Sequence, residues 1–291
     1  DFNLVLTGSH LSEFYGKTEN EIVEAGFPFY ETIETLQSSD TETGNATTSA
    51  LTLIRFSDYF EKIKPDLLVL LGDRHEILSV CLASSFNKIP VVHIHGGEIT
   101  EAALDDGFRH SLTKLSHIHF VSHEEYKKRV IQLGENPKFV HNVGGLGAFS
   151  FFDNKYLSKN EIEISLDIKF SKKNILITHH PTTLVKGSGE KEFEEIITAI
   201  KEFPNINFIF TSPNTDIGNL KIIKIIEEEC KLMENWFFVK SMGQQKYLST
   251  LKYVDCVMGN SSSGLLEVPS FKIGTINVGD RQRGRVKAES V

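Results

Sequence analysis

The segment HIHGGEITEAALDDGFRH, residues 93–110, carries three histidines, four carboxylates and one arginine directly after an apolar run. Imidazole and carboxylate groups exchange protons near neutral pH, so this composition is typical of general acid–base catalysis. Two simpler interpretations stay open. Asp105 and Arg109, four residues apart, have the spacing of an ion pair on a helix surface. Glu101 is best interpreted as a solvated side chain.

Two histidines of this segment are separated by one residue. On an extended backbone His93 and His95 are expected to face the same way, because side chains alternate between the two faces of a strand. Gly96 and Gly97 then permit a tight turn or the close approach of a ligand to the backbone. Histidines at this spacing, with Glu98 beside them, also occur in metal sites, so a metal-dependent hydrolase is one alternative interpretation.

Two further apolar runs end in candidate functional residues. The segment GDR at 72–74 places Asp73 and Arg74 at the end of one run, although a helix-capping aspartate is an equally good explanation. The segment HHPTT at 179–183 ends another run, and its proline favours a rigid turn that holds His180 in place. A purely structural histidine is the alternative at that position.

The segment NSSSG at 260–264 follows an apolar run and opens a predicted helix. Serine hydroxyls, free backbone N–H groups and the positive end of the helix dipole together suit a phosphate or diphosphate, whereas a simple N-cap needs only one serine. The glycine spacing fits neither a Walker loop nor the dinucleotide fingerprint. Arg281, Arg283 and Arg285 follow and also suit a phosphate. Anion binding is thus explained without a metal ion, and we expect no metal and no cofactor.

Short apolar runs that alternate with longer amphipathic segments must position these residues. Strands are predicted at residues 3–7, 67–72, 90–94, 118–121, 138–143, 174–178, 207–211, 236–240, 255–259 and 274–278. Helices are predicted at residues 46–64, 75–87, 123–134, 190–203, 216–234, 244–252 and 263–271. Strands that are apolar on both faces and separated by helices indicate an α/β fold with doubly wound parallel sheets, which bind ligands at the carboxyl ends of the strands.

The length of 291 residues predicts two domains. The polar segment 152–174 contains neither glycine nor proline, and we interpret it as a connection with a short helix. The predicted domains are therefore residues 1–155, which hold the carboxylates, and residues 172–291, which hold the anion-binding motifs. A substrate linked to a nucleotide would use both.

Composition narrows the class of protein. The net charge of −8 and the lack of a basic tract argue against nucleic-acid binding. No apolar run approaches the roughly 20 residues that a membrane-spanning helix needs. Cys81, Cys230 and Cys256 each lie in an apolar stretch, which predicts buried thiols and a reducing compartment, the cytoplasm.

Taken together, the motifs resemble the UDP-N-acetylglucosamine 2-epimerase family, in particular its hydrolysing branch, which makes N-acetylmannosamine for sialic acid synthesis. The resemblance covers the whole chain, with ordered blocks TGSHLSEFYGKT, GDR, HIHGGEIT, DDGFRHSLTKLSH, NVGGLG, HHPTT, PNTDIGN, GNSSSGLLEVPSF and INVGDRQRGR. The block that ends in RHSLTKLSH, together with GDRQRGR, favours the hydrolysing branch.

The resemblance implies the GT-B fold, in which two Rossmann-like domains hold the active site in the cleft between them. It implies a homodimer as well. Family members begin with one more strand and a Gly-Thr-Arg loop and end with further helices, so we expect natural sequence beyond both ends of this chain.

The implied reaction converts UDP-GlcNAc and water into ManNAc and UDP. The C2 proton and UDP are eliminated, and water then adds with inversion at C2. The resemblance assigns Asp73 and Asp105 as catalytic carboxylates and places His180 near the diphosphate as a proton donor. On the nucleotide side it places Arg74, Asn214, Asp216, Ser261, Ser262, Glu267 and Arg281.

One position departs from part of the family. Some relatives carry a glutamate where His95 stands, so either His95 or Glu98 is expected to accept the C2 proton. The same change is compatible with a different sugar, such as a diacetamido bacillosamine derivative. A GT-B glycosyltransferase and a non-catalytic sugar-nucleotide-binding module remain as further alternatives.

Overall fold

The computed structural model describes residues 2–24, 26–27, 30–37, 39, 41–101, 103–153, 155–182 and 188–291. Contacts between residues divide the chain into two compact units. The first unit comprises Asp1–Glu13 and Glu19–Leu146, and the second comprises Phe14–Thr18 and Gly147–Val291.

The first unit contains six strands and five complete α-helices among its described residues. The strands are β1 Leu4–Thr7, β2 Tyr30–Ile33, β3 Leu68–Leu71, β4 Val91–Ile94, β5 Ile118–Val121 and β6 Val140–Asn142. The helices are α1 Glu19–Glu24, α2 Glu42–Ile63, α3 His75–Phe86, α4 Asp105–Leu115 and α5 Glu124–Gln132. Short 3-10 helices span Gly8–Leu11, Glu13–Tyr15 (across the division between the units) and Pro137–Phe139. Strand β1 pairs in parallel with β2, and a second parallel sheet has the order β3-β4-β5-β6.

Helices α2 and α3 pack with strands β3 and β4 in one apolar cluster of the first unit. The Thr41 hydroxyl accepts a hydrogen bond from the Gly44 N–H at 3.0 Å and so caps the start of α2. Phe56 and Phe60, one turn apart, are 4% and 2% exposed and pack with Val80 of α3 in one apolar cluster. Burying such large side chains contributes about 1.5–3 kcal/mol each, which holds the helices against the strands.

Strand β3 is covered on one face only. Val69 and Leu71 are 55% and 53% exposed. Strand β3 lies at the edge of the four-stranded sheet, whereas the next strand, β4, is paired on both sides and its first three residues are buried.

The second unit is built on one five-stranded parallel sheet of order β11-β10-β7-β8-β9. The strands are β7 Asn174–Thr178, β8 Asn207–Thr211, β9 Trp236–Val239, β10 Cys256–Gly259 and β11 Gly274–Asn277. The helices are α6 Leu146–Asp153, which starts at the last residue of the first unit, α7 Lys159–Leu166, α8 Ser188–Ile200, α9 Asn219–Cys230, α10 Gly243–Thr250 and α11 Ser263–Leu266, followed by a 3-10 helix at Val268–Phe271.

Two apolar clusters cover the two faces of this sheet. Leu176 and Ile209 belong to one cluster, while Ile177 and Phe210, their neighbours along β7 and β8, belong to the other. All four side chains are 1% exposed or less. Strands that are apolar on both faces are what a doubly covered parallel sheet requires, so the predicted α/β architecture is confirmed for this unit.

None of the helices within the described residues is long and apolar enough to cross a membrane. The three cysteines are free, and Cys81 is buried, whereas Cys230 and Cys256 are partly buried.

Candidate active site

Arg109 of α4 is buried in the first unit and lies at the centre of a network of polar residues. The Arg109 Nε donates to Asp73 Oδ2 at 2.9 Å, and its Nη2 also bonds to Asp73 and donates to Thr100 Oγ1 at 3.0 Å. The Nη1 donates to Asp106 Oδ1 at 3.1 Å and to the Glu98 carbonyl at 3.0 Å. One buried guanidinium therefore ties together the ends of β3 and β4 and the start of α4.

Charge compensation explains why this arginine is tolerated inside the protein. Burial lowers the pKa of the Arg109 guanidinium, but the charge and hydrogen bonds of Asp73, with the charges of Glu98 and Asp106, outweigh it and raise the pKa overall. The side chain is 1% exposed, so the alternative of an ion pair on the helix surface is wrong for Arg109. Asp105, the first residue of α4, is half-buried next to this network.

His95 and Glu98 form a hydrogen-bonded pair just beyond β4. His95 Nδ1 lies 2.9 Å from Glu98 Oε1, and the Ser122 hydroxyl donates to the same oxygen at 3.3 Å. An ionised carboxylate only accepts hydrogen bonds, so Nδ1 of a neutral His95 must carry the proton and Nε2 is left with a lone pair. The Glu98 side chain is 3% exposed and that of His95 is 14% exposed. His95 is therefore the more accessible proton acceptor of the two.

The backbone at His95 differs from the predicted extension of the strand. Its φ of 68° lies in the left-handed region, which is uncommon for residues other than glycine. Side-chain alternation ends with β4 at Ile94, so the prediction that His93 and His95 share a face does not apply. Gly97 follows at φ 81°, and a Cβ there would lie 2.4 Å from the Tyr126 carbonyl oxygen. Only glycine fits this close approach.

His93 is a structural residue of the strand. Its Nε2 donates to the Gly72 carbonyl at 2.9 Å, which links β4 to the end of β3. The side chain is buried, and burial lowers its pKa to about 4, so it is neutral at pH 7. Within the described part of the chain, no group of three or more His, Cys, Asp or Glu side chains is placed to hold a metal ion.

Arg74 lies beside this network. Its Nε forms an ion pair with Glu76 Oε2 at 3.2 Å, and about a third of its side chain is exposed, at 30%. Arg74 precedes α3, and its side chain makes no capping hydrogen bond to that helix. The neighbouring Asp73 carboxylate is bonded to Arg109, and the observed hydrogen bonds give it no capping role either.

In the second unit, His180 is held by two asparagines. The His180 N–H donates to Asn260 Oδ1 at 2.6 Å, and Asn260 Nδ2 donates to the His180 carbonyl at 2.8 Å. The Asn214 N–H donates to His180 Nδ1 at 2.9 Å. A backbone N–H can only donate, so a neutral His180 must carry its proton on Nε2. This tautomer can donate a hydrogen bond from Nε2.

His179 has a different environment from its neighbour. It is 2% exposed, stacks on Phe193 with ring centroids 5.6 Å apart, and donates from Nε2 to the Gly189 carbonyl at 3.2 Å. Burial lowers its pKa to about 4. The structural interpretation of a strand-end histidine therefore holds for His179. Thr183, the last residue of the predicted HHPTT motif, lies outside the described residues.

A polar network adjoins His180. Asn214 Nδ2 donates to Asp216 Oδ2 at 2.5 Å, and Arg281 Nη2 lies 3.9 Å from the same oxygen. Arg281 Nη1 also donates to the Asn260 carbonyl at 3.4 Å. The structure thus brings together, at the carboxyl end of one sheet, residues that the sequence places as far as 101 positions apart.

The serine loop lies between β10 and α11. Gly259, the last residue of β10, has a φ of 131°, and a Cβ there would clash with the Thr178 carbonyl oxygen, so the two strand ends that precede the loop pack tightly together. Ser261 Oγ accepts from the Ser263 N–H at 3.4 Å. The predicted helix over 263–271 is divided into the four-residue α11 and a 3-10 helix, and Glu267 lies at the junction. Pro269 cannot donate to a continuing α-helix, which accounts for the division.

Several residues of these networks were not among the predicted site residues, including Ser122, Asp106, Asn260 and Gln282. Each immediately follows a strand or adjoins a predicted candidate, which was the available signal. Gln282, 4% exposed, donates from Nε2 to the Asn260 carbonyl at 2.7 Å. Asparagine and glutamine carry no charge, so their types alone did not draw attention to them.

Comparison with known proteins gives a match over the whole chain. The family model described as UDP-N-acetylglucosamine 2-epimerase matches residues 1–291. The chain is 41% identical over 295 residues to the GDP/UDP-N,N'-diacetylbacillosamine 2-epimerase (hydrolyzing) of Campylobacter jejuni, covering 99% of this chain and 75% of that protein. It is 40% identical over 290 residues to the polysialic acid biosynthesis protein P7 of Escherichia coli, covering 99% and 74%.

Solved structures share the fold. The crystal structure of UDP-GlcNAc 2-epimerase from Neisseria meningitidis bound to UDP-GlcNAc superposes with a TM-score of 0.74 at 17% identity, covering 97% of this chain and 83% of that one. The Methanocaldococcus jannaschii UDP-GlcNAc 2-epimerase in complex with UDP-GlcNAc and UDP gives 0.72 at 18% identity, covering 96% and 84%. The predicted fold class, α/β of the GT-B type, is confirmed.

Proposed function

Because the chain belongs to the UDP-N-acetylglucosamine 2-epimerase family, as its motifs predicted, and is therefore an enzyme that acts on a nucleotide sugar, we propose that it is a hydrolysing 2-epimerase. The reaction converts UDP-GlcNAc and water into ManNAc and UDP. The relatives from Campylobacter jejuni and Legionella pneumophila, 41% and 32% identical, are both named as hydrolysing enzymes, which supports this branch of the family.

The observation that carries the proposal is the paired His95 and Glu98 beside the carboxylates of the Arg109 network. His95 Nε2 accepts the C2 proton, Glu98 holds the imidazole in the required tautomer, and the C1–O bond breaks to release UDP and leave a glycal. Water then adds its hydroxyl to C1. Asp73 or Asp105 accepts the proton of that water and delivers it to the opposite face of C2, which inverts that centre, and His95 returns its proton to solvent.

The second unit provides the leaving-group side of the proposal. His180 Nε2–H, oriented by the Asn214 N–H at 2.9 Å, donates a hydrogen bond to the departing phosphate oxygen, which leaves as an anion. Ser261, Ser262 and Arg281 bind the diphosphate, since hydroxyl and guanidinium donors stabilise the charge that develops there. We assign Arg74 to the phosphate side as well, and Asn214 and Glu267 to the nucleoside.

The specific sugar has two candidates. The resemblance favoured UDP-GlcNAc, while the Campylobacter jejuni and Legionella pneumophila relatives are named for N,N'-diacetylbacillosamine. Both sugars carry an acetamido group at C2, so the same proton transfer serves either. We propose UDP-GlcNAc as the substrate, with the UDP-diacetamido sugar as the alternative. With UDP-GlcNAc, the product would serve sialic acid synthesis.

An NMR time course in D₂O with each of the two UDP-sugars tests the function. We expect UDP and a C2-inverted sugar that carries deuterium at C2. A matched variant, His95→Gln, keeps a side-chain N–H donor beside Glu98 but has no basic nitrogen, and should lose deuterium incorporation while still binding UDP. Release of an unepimerised sugar, or of no UDP from either substrate, would refute the elimination mechanism.

We also propose that residues 1–155 and 172–291 act as a catalytic and a nucleotide-binding domain, that the chain forms a homodimer, and that it works in the cytoplasm. Light scattering on the purified protein tests the second of these, since a monomer mass would contradict it.

A further inference from the structure

Asn260 has an unusual position in the second unit. It follows β10 directly, and no part of the residue is exposed. Its side-chain amide makes two hydrogen bonds to one residue of another strand end, accepting from the His180 N–H at 2.6 Å and donating to the His180 carbonyl at 2.8 Å. The amide therefore pairs with the His180 backbone as a neighbouring strand would, at a point where β7 and β10 have already ended.

The Asn260 backbone extends this contact to a third strand end. Its N–H donates to the Thr178 carbonyl at 3.2 Å. Its carbonyl accepts from Gln282 Nε2 at 2.7 Å and from Arg281 Nη1 at 3.4 Å. One buried residue thus fixes the segments that follow β7, β10 and β11.

We propose that Asn260 is a positioning residue for the reaction: it fixes the His180 backbone, while the Asn214 N–H fixes the His180 ring, so that Nε2–H points at the leaving group. This inference rests on the proposed function. An amide is required because it offers one acceptor and one donor; an aspartate would place a carboxylate oxygen against the His180 carbonyl. The imidazole would then lose a fixed orientation.

The test uses Asn260→Asp with a matched control on the same sheet. Asn174, the first residue of β7, is also buried, and its amide also bonds only to backbone: it accepts from the Ser171 N–H at 2.9 Å and donates to the Ser171 and Tyr253 carbonyls at 3.1 and 3.2 Å. It lies at the opposite end of the strand from His180. Asn174→Asp therefore loses the same donor without disturbing the proposed site.

We expect Asn260→Asp to lower kcat about 100-fold, as a small misplacement of a catalytic group does, and Asn174→Asp to leave kcat within about twofold. In a His180→Ala background, Asn260→Asp should lower kcat by less than about threefold more, because coupled residues are not additive. Equal losses in both backgrounds, or an equal loss from Asn174→Asp, would overturn the proposal. If Asn260→Asp does not fold, Asn260→Ser provides the same comparison.

A second measurement does not depend on turnover. Nitrogen-15 NMR of the histidine rings should show His180 protonated only at Nε2 in the wild type and a mixture of tautomers in Asn260→Asp. An unchanged His180 tautomer in the variant would overturn the positioning role even if the wild type turned over neither sugar. Absence of wild-type turnover with the expected tautomer change would instead count against the proposed function alone.

Discussion

Replacement of Arg109 by methionine is the sharpest test of how the first unit is held together. Methionine has nearly the length of the arginine stem, so the change removes the charge and its donors with little change in volume. Asp73 and Asp106 would lose their buried cation, and the hydrogen bonds to Thr100 and to the Glu98 carbonyl would disappear.

The structure sets the size of the effect. Breaking a buried ion pair by removing one partner costs about 3–5 kcal/mol, because the remaining charge is left uncompensated. The Asp73 and Asp106 side chains are 22% and 30% exposed, so water solvates them in part. We therefore expect the lower end, about 3 kcal/mol. For a domain of this size, that corresponds to a fall in Tm of roughly 6–12 °C.

Urea unfolding and calorimetry of Arg109→Met, Asp73→Asn and the double variant measure this effect. The double variant should be more stable than Arg109→Met alone, since it removes one of the orphaned carboxylates. Lys128→Met is the control, because its ion pair with Glu125 at 2.7 Å lies between side chains that are 60% and 54% exposed. An exposed pair of this kind contributes little to stability, so Lys128→Met should leave the unfolding transition nearly unchanged. A loss below about 1 kcal/mol for Arg109→Met would refute the reasoning.

Three further predictions follow from single residues. Asp73→Asn should lower kcat by about 100-fold or more while UDP affinity by calorimetry changes little; loss of UDP binding would contradict its catalytic role. Gly97→Ala should destabilise the protein by about 2 kcal/mol or more, because its Cβ would meet a carbonyl oxygen at 2.4 Å; Gly107→Ala, within α4 and with no atom within 4 Å of the added Cβ, should be neutral or stabilising in the same melts. His93 has a pKa of about 4 when folded and 6.5 as its ordinary value. Its neutral form therefore stabilises the fold above pH 6.5, and about 3 kcal/mol of stability should be lost as pH falls from 6.5 through 4. His93→Gln should make the free energy of unfolding depend less on pH in this range, and an unchanged pH dependence would contradict the buried neutral state of His93.

Periodicity was a good guide to the fold where strands are buried on both faces. The strands 174–178 and 207–211 were predicted with the bounds that the structure has, because each is a continuous apolar run that ends at polar residues. Strand β2 was not predicted. Its sequence YETI places two polar residues in the centre, and the strand is specified by its pairing with β1, which no local pattern reveals.

The polar networks were harder to predict than the strands. Sequence spacing suggested Asp105 as the partner of Arg109, whereas Asp106 makes the contact, because three residues and four residues both bring side chains to one helix face. The burial of Arg109 depends on Asp73, which is 36 residues away in the chain. Spacing gives the neighbours on one helix, but long-range contacts decide which neighbour is buried.

The two histidine pairs show how one residue type acquires two functions at a strand end. In each pair the first histidine is buried, with a pKa near 4, and donates to a backbone carbonyl, so it completes the core. The second, His95 or His180, lies past the last strand residue, where the backbone no longer alternates and a neighbouring polar group fixes the ring tautomer. The groups that fix the two ring tautomers differ: a carboxylate accepts a hydrogen bond from His95 Nδ1, whereas a backbone N–H donates one to His180 Nδ1. Nε2 is therefore an acceptor in His95 and a donor in His180, and these are the two different roles that the proposed reaction assigns to them, at C2 and at the leaving phosphate.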